Sequence, residues 1–409
     1  MPTKTFTVEI EKLVYGGEGM ARLPDGRAVF VPFVLPGERV AIDIAEDKRR
    51  FARAALVEVL EPSPDRITPK CKHFTKCGGC HYQHITYADQ LSAKTEILRD
   101  QLQRIAKIDS PDIQPMIPSP SPWNYRNNIQ FHQNEAGELG FLASRSDQII
   151  AIEECHLPQE NLNALWPEIK IDPLPELLRL GLRSGMDQET ILVLESAADE
   201  AFDFSVDFST AAVQLGPNST HILAESFYFT IEIKERAFRV SADSFFQVNT
   251  KLAEQMVDHL LANLNLTKET IVLDLYCGVG LFSAFLAPKV KQLIGIEINA
   301  SAVEDFTINL DEFENVEVYN AAVEKTLPAL KVSPNIIVVD PPRSGIGHKI
   351  LDTIIEMDPG VLVMISCDPA TLGRDAKRLI EAGYTLKQIT PIDLFPQTFH
   401  IESISYWHK

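Results

Sequence analysis

Ile271-Val272-Leu273-Asp274-Leu275-Tyr276-Cys277-Gly278-Val279-Gly280 passes from an apolar strand into a glycine turn, and its reading decides the fold. Apolar runs of this kind suit strands covered on both faces, and glycines at the turn let backbone N–H groups approach a ligand closely. The texture repeats downstream. Strands are predicted at 271–275, 293–298, 316–319, 335–339 and 361–365, and Leu252, Met256, Leu260 and Leu261 mark a helix ahead of the first. Regular alternation from Ser241 to the last residue predicts a doubly wound α/β domain over 241–409, with ligands at the carboxyl ends of its strands.

The second strand ends in Glu297, where a carboxylate can accept hydrogen bonds from ribose hydroxyls. Ser283 stands where a dinucleotide fingerprint would have its third glycine. A ligand with one ribose and no phosphate, S-adenosylmethionine, therefore fits better than a dinucleotide. The fourth strand runs into Asp340-Pro341-Pro342-Arg343, a carboxylate on a stiff loop. The fifth runs into Ser366-Cys367-Asp368-Pro369, a thiol beside a predicted helix start that would favour the thiolate. Phe395-Pro396-Gln397-Thr398-Phe399-His400-Ile401-Glu402 then supplies a further carboxylate. Cys277 reads as a small packed residue of the turn.

Upstream, residues 1–62 alternate with period two between turn signals such as Pro24-Asp25-Gly26, which predicts a small closed β-barrel. Lys48-Arg49-Arg50 and Arg53 lie near one turn and are candidate RNA contacts. Residues 86–108 read as a helix with Leu91, Ile97, Leu98, Leu102 and Ile105 on one face. The span 63–240 is otherwise mixed, with a hairpin about Asn134–Gly137 and a strand at 149–152 that delivers Cys155. Cys71, Cys77, Cys80 and Cys155 form a metal-ligand pattern open to zinc or to an iron–sulfur cluster, with His73, His81, His84 and His156 nearby.

The chain of 409 residues is 45% hydrophobic and 23% charged, which excludes disordered, collagenous and disulfide-scaffold classes. With Lys and Arg at 38 against Asp and Glu at 57, the net charge is −19, so nucleic acid could be held only at a local basic patch. No apolar run is long enough to cross a bilayer and no signal core opens the chain, so a cytoplasmic protein off the membrane is expected.

The ordered set of glycine turn, Glu297, Asp-Pro-Pro-Arg, Ser-Cys-Asp-Pro and His-Ile-Glu resembles the RNA uracil-C5 methyltransferases, the family of the tRNA and 23S rRNA 5-methyluridine enzymes. The resemblance extends over nearly the whole chain and includes Ser241-Ala242-Asp243-Ser244-Phe245-Phe246-Gln247-Val248-Asn249 at the start of the catalytic domain. It implies a TRAM barrel over 1–62, a central iron–sulfur and RNA-binding region over 63–240, and a class I methyltransferase domain over 241–409. Gln247, Tyr276, Glu297 and Asp340 would contact S-adenosylmethionine, Cys367 would be the nucleophile and Glu402 the base. Cys71, Cys77, Cys80 and Cys155 would hold a 4Fe-4S cluster. The helix of residues 86–110 would pack on the catalytic domain. Leu281 departs from the asparagine that the family often carries there.

The residue types agree with that chemistry. A thiolate adding at uracil C6 makes C5 nucleophilic, and a carboxylate can then remove the C5 proton. Cytosine-C5 RNA enzymes usually carry a cysteine beside the proline where this chain has Arg343, so uracil is favoured. The expected substrate is 23S rRNA ahead of tRNA, because barrel and cluster occur together, and a monomer is expected. A non-catalytic RNA-binding or assembly factor would need neither Cys367 nor Glu402. An amino-group methyltransferase would carry an aromatic after the prolines.

Overall fold

In the computed structural model, which describes residues 5–203 and 210–409, alternation of inward and outward side chains builds the first unit. Strands β1 (Thr5–Val14), β2 (Glu18–Arg22), β3 (Ala28–Pro32), β4 (Arg39–Asp47) and β5 (Phe51–Glu61) close into a barrel in the order β1-β2-β3-β5-β4. Val8 and Ile10, Val29 and Val31, and Val40 and Ile42 point inward from alternate positions and form its core.

Helix α1 (Tyr87–Gln101) starts where the Thr86 hydroxyl accepts the Asp89 N–H, and it continues into a wider turn over Leu102–Ala106. Leu98, Leu102 and Ala106 share an apolar cluster with Leu372 and Ala376, so this helix packs on the catalytic domain. The intervening region is a seven-stranded sheet of β6 (Asn128–Gln133), β7 (Leu139–Leu142), β8 (Ile149–Ala151), β9 (Leu177–Ser184), β10 (Thr190–Ser196), β11 (Ala211–Leu215) and β12 (Thr220–Ala224). Its order is β12-β11-β10-β9-β6-β7-β8, and a separate hairpin, β13 (Tyr228–Ile233) with β14 (Arg236–Ser241), follows it.

The catalytic sheet comprises β15 (Ile271–Leu275), β16 (Gln292–Glu297), β17 (Val316–Asn320), β18 (Ile336–Val339), β19 (Val361–Ser366), β20 (Thr385–Ile392) and β21 (Glu402–His408), in the order β17-β16-β15-β18-β19-β21-β20. Val272, Ile336, Val338 and Val363 face one apolar cluster, while Leu273, Leu275, Ile337 and Leu362 face another. Both faces are therefore buried, as the continuous apolar runs require. The strand order reverses between β15 and β18, which opens a crevice at their carboxyl ends.

The five predicted strands pair in parallel, and the sheet is extended beyond them by β21, which runs antiparallel between β19 and β20. Glu402 is consequently the first residue of a central strand. The strand was obscured because Glu402, Ser403 and Ser405 are polar yet buried, which breaks the apolar run.

Candidate active site and thiol cavity

The turn after β15 is shaped by close packing. Gly280 has φ +90°, and a Cβ there would stand 2.5 Å from Leu310 Cδ1 and 2.9 Å from Phe306 Cδ2, so only glycine fits. Tyr276, a non-glycine residue, also lies in the left-handed region at φ +62°, a strained conformation of the kind found at ligand sites. Burial, then Glu324 and Asp375, pushes its phenol up to about 12. The Glu297 carboxylate bends back to accept the N–H groups of Gly278 at 3.1 Å, Ile298 at 2.7 Å and Asn299 at 2.8 Å. It is thereby fixed at the mouth of the turn.

Across the crevice, Gln247 Nε2 donates to Asp340 Oδ2 at 3.4 Å. Burial, reinforced by Asp274, pushes the Asp340 carboxyl up to about 7. Asp274 is itself pushed up to about 7 by burial, although Ser283 Oγ donates to its Oδ2 at 2.6 Å. The serine that breaks the dinucleotide pattern thus serves a buried carboxyl of the first strand.

Cys367 follows β19, and the antiparallel ladder ends with Ser366 paired to Ser403, so Cys367 and Glu402 flank that last pair at the same end of the two strands. Glu402 is 4% exposed, and its Oε1 has no hydrogen-bond partner among the described residues. Burial and the Asp340 charge drive its pKa well above the ordinary carboxylate range. The Cys367 thiol is pushed up to about 12 by burial, then by Glu402 and Asp340, with Arg343 opposing. The expected thiolate-favouring helix start is therefore corrected. Helix α2 (Pro369–Glu381) does begin here, but Asp368 caps it by accepting the Ala370 and Thr371 N–H groups, each at 2.9 Å. Those donors are spent on a carboxylate rather than offered to the sulfur.

Elements remote in sequence close the pocket. The Tyr15 hydroxyl of the barrel donates to Asp368 Oδ2 at 3.0 Å. Arg343 Nη2 lies 3.3 Å from His400 Nε2. Burial and Arg343 push that imidazole down to about 3, so it accepts from the guanidinium. Sequence reasoning missed Tyr15, whose side chain carried no motif signal. It also passed over the exposed Phe245 (68%) and Ile298 (67%), which neighbour Gln247 and Glu297 in sequence. Large apolar residues next to the candidate polar residues were the available sign.

Cys71, Cys77, Cys80 and Cys155 line one cavity of about 220 Å³, with His73 and His156 also on its wall. The loop bearing them is pinned by Cys71 N–H donating to Gln83 Oε1 at 3.0 Å and by a bridge between Cys77 and Ala143. Burial pushes the Cys155 thiol up to about 12 and raises those of Cys71, Cys77 and Cys80. Among the described residues no group of three or more His, Cys, Asp or Glu side chains is arranged to hold a metal ion. Four thiols on one cavity wall are a soft donor set that would suit a thiolate-held metal group.

The basic turn of the barrel is partly neutralised. Arg53 pairs with Glu18 at 2.5 Å and Lys48 with Glu46 at 2.9 Å, whereas Arg49 and Arg50 are exposed. Arg53 also lies over the Phe30 and Phe51 rings at 5.6 and 5.8 Å.

A family model described as tRNA (Uracil-5-)-methyltransferase matches residues 222–409, and one for the TRAM domain matches residues 1–57. An uncharacterized RNA methyltransferase of Halalkalibacterium halodurans is 35% identical, covering 97% of this chain and 95% of its own. The chain belongs to the RNA uracil-5 methyltransferase family. A second such methyltransferase, from Aquifex aeolicus, is 34% identical over 99% of both chains. The fold of this family member also matches the crystal structure of Pyrococcus abyssi tRNA (uracil-54, C5)-methyltransferase in complex with S-adenosyl-L-homocysteine, with a TM-score of 0.74. That likeness has 23% identity and covers 98% of this chain and all of the other. The methyltransferase uses S-adenosylmethionine and acts on RNA. No helix of its described residues is long and apolar enough to cross a membrane.

Proposed function

We propose that this enzyme methylates C5 of a uridine in 23S rRNA through a covalent adduct between Cys367 and C6. The pairing that sets Cys367 and the buried Glu402 at the same end of two strands, with Asp340 close enough to raise both pKa values, carries the proposal. When bound, S-adenosylmethionine supplies an electrophilic methyl group and a positive charge to a site where the acids Glu402 and Asp340 are opposed by the Arg343 guanidinium. Gln247, Tyr276, Glu297 and Asp340 hold it in this reading, Glu297 through the ribose.

Cys367 Sγ, its proton lost to solvent, adds to C6 as the thiolate, and the electron pair displaced from the C5–C6 double bond is held at C5 and the O4 carbonyl. C5 takes the methyl group as the bond from methyl carbon to the sulfonium sulfur breaks, leaving a neutral thioether. Glu402 then removes the C5 proton, the double bond re-forms, and the C6–S bond breaks to return the thiolate. Phe245, exposed beside Gln247, offers a stacking face for a base drawn out of its helix.

The four cavity thiols hold a 4Fe-4S cluster in this reading, as a brace without a redox part in methyl transfer. The division into a barrel over 1–62, a central region over 63–240 and a catalytic domain over 241–409 belongs to the same proposal, as do a monomer and a cytoplasmic location. The coexistence of barrel and thiol cavity supports rRNA, whereas the description of the matching family model supports tRNA as the second reading. Nucleoside analysis of both RNAs from a deletion strain separates them. Loss of 5-methyluridine from 23S rRNA supports the proposal, and loss from tRNA alone moves the substrate there.

A further inference from the structure

We propose that Gln90 and Lys94 of α1 are positioning residues for Glu402, acting by clamping the loop between β20 and β21. The proposal rests on the covalent reading given above. Glu402 reaches the pocket from residues 393–401, and that loop is held from outside the catalytic sheet at four successive points.

Lys94 and Asp393 are both fully buried and pair at 2.5 Å, and Lys94 Nζ also donates to the Phe395 carbonyl at 3.1 Å. The Tyr125 hydroxyl donates to the Pro396 carbonyl at 3.1 Å. Gln90 forks onto Gln397, its Nε2 donating to the side-chain Oε1 and its Oε1 accepting the backbone N–H, each at 3.0 Å. The Gln397 carbonyl accepts the N–H groups of His81 at 2.8 Å and Tyr82 at 3.1 Å.

Gln397 stands in the left-handed region at φ +67°, a conformation a non-glycine residue keeps only where its surroundings over-determine it. A buried lysine–carboxylate pair is likewise poor stabilisation, because desolvation offsets the attraction; such pairs are better understood as fixing one geometry. Two independent features that both cost stability thus converge on one loop. Downstream of the clamp, Phe399 lies 4.6 Å from the His81 ring, and His400 meets Arg343 at the pocket.

The clamp bears on one member of the site. Cys367, Asp340, Glu297 and Tyr276 follow or end parallel strands, whereas Glu402 is delivered by the clamped loop. Loosening the clamp should therefore slow proton removal while leaving thiol addition and methyl transfer nearly intact.

Gln90→Met keeps the side-chain volume and removes the fork. The double variant Lys94→Met with Asp393→Leu removes the ion pair without stranding a charge. Each is compared with the wild type by melting, by single-turnover methyl transfer to a uridine-containing RNA, and by steady-state turnover. Covalent, methylated RNA–protein is scored on denaturing gels. For at least one folded variant we expect turnover to fall about tenfold, methyl transfer in the first turnover to stay within about twofold, and the adduct band to accumulate. Parallel loss of both rates without adduct, or no change in either, would overturn the positioning role. A wild type that forms no adduct even with 5-fluorouridine RNA would instead remove the covalent reading on which it rests.

Discussion

Two sets of partly buried thiols in this chain sit among different neighbours, and the proposed function puts them to opposite uses. In both, burial is the largest influence and pushes the thiols up, Cys367 and Cys155 alike to about 12. Around Cys367 the next influences are Glu402 and Asp340, and one guanidinium opposes them. Around Cys155 they include two other thiols, Cys77 and Cys71. A lone thiol among acids can be turned on by an arriving cation and a substrate, and the raised Glu402 carboxyl can take a proton once its own has left. Four thiols around one cavity, with Glu154, His73 and His156 also on its wall, would gain by sharing a soft metal group. Under the proposed function, the same residue type is a nucleophile or a ligand according to what else the fold delivers.

The comparison breaks most severely at the nucleophile. Cys367→Ala should lower methyl transfer by on the order of 10⁴-fold or more and abolish covalent RNA, with the metal content unchanged. Retention of substantial turnover would make Cys367 a packed residue. In the other group, Cys155→Ser should lose the roughly four irons expected of an anaerobically purified, brown wild type, measured by iron analysis and visible absorption. A colourless wild type with one zinc per chain would contradict the cluster.

A pH series sharpens the contrast without mutation. Because the Cys367 thiol is raised to about 12, its thiolate fraction in cofactor-free protein should climb about tenfold per pH unit from 7 to 10. Alkylation by iodoacetamide, followed at this residue by peptide mass spectrometry, should rise with it. A plateau near pH 8 to 9 would mean an ordinary thiol. The smallest expected effect lies at the cofactor turn, where Glu297→Ala should weaken S-adenosylmethionine binding by about 1–3 kcal/mol in calorimetry. Unchanged affinity would place the ribose contact elsewhere.

The parallel core was legible because its strands are covered on both faces, so Ile336–Val339 and Val361–Ile365 announce themselves as apolar runs. The barrel was legible from period-two alternation and turn residues. The β20–β21 hairpin was not, since Glu402, Ser403 and Ser405 are polar groups whose burial only tertiary pairing justifies. The same holds for Gln90 and Lys94. They share the buried stripe of α1 with Ile97 and Leu98, and polar residues at positions i and i+4 of an apolar face were the sign overlooked. The charge environment of Cys367 was misread for another reason. A helix start attracts a thiolate only when its N–H groups are free, and whether Asp368 would claim them is a matter of geometry.

The central claim is that Cys367 acts before methyl transfer and Glu402 after it, and Glu402→Gln tests it most directly. With a uridine-containing RNA and S-adenosylmethionine, this variant should accumulate protein whose intact mass equals the chain plus the RNA plus one methyl group. Free, unmodified protein and RNA at the end of the reaction, or an adduct that lacks the methyl group, would contradict that order of events.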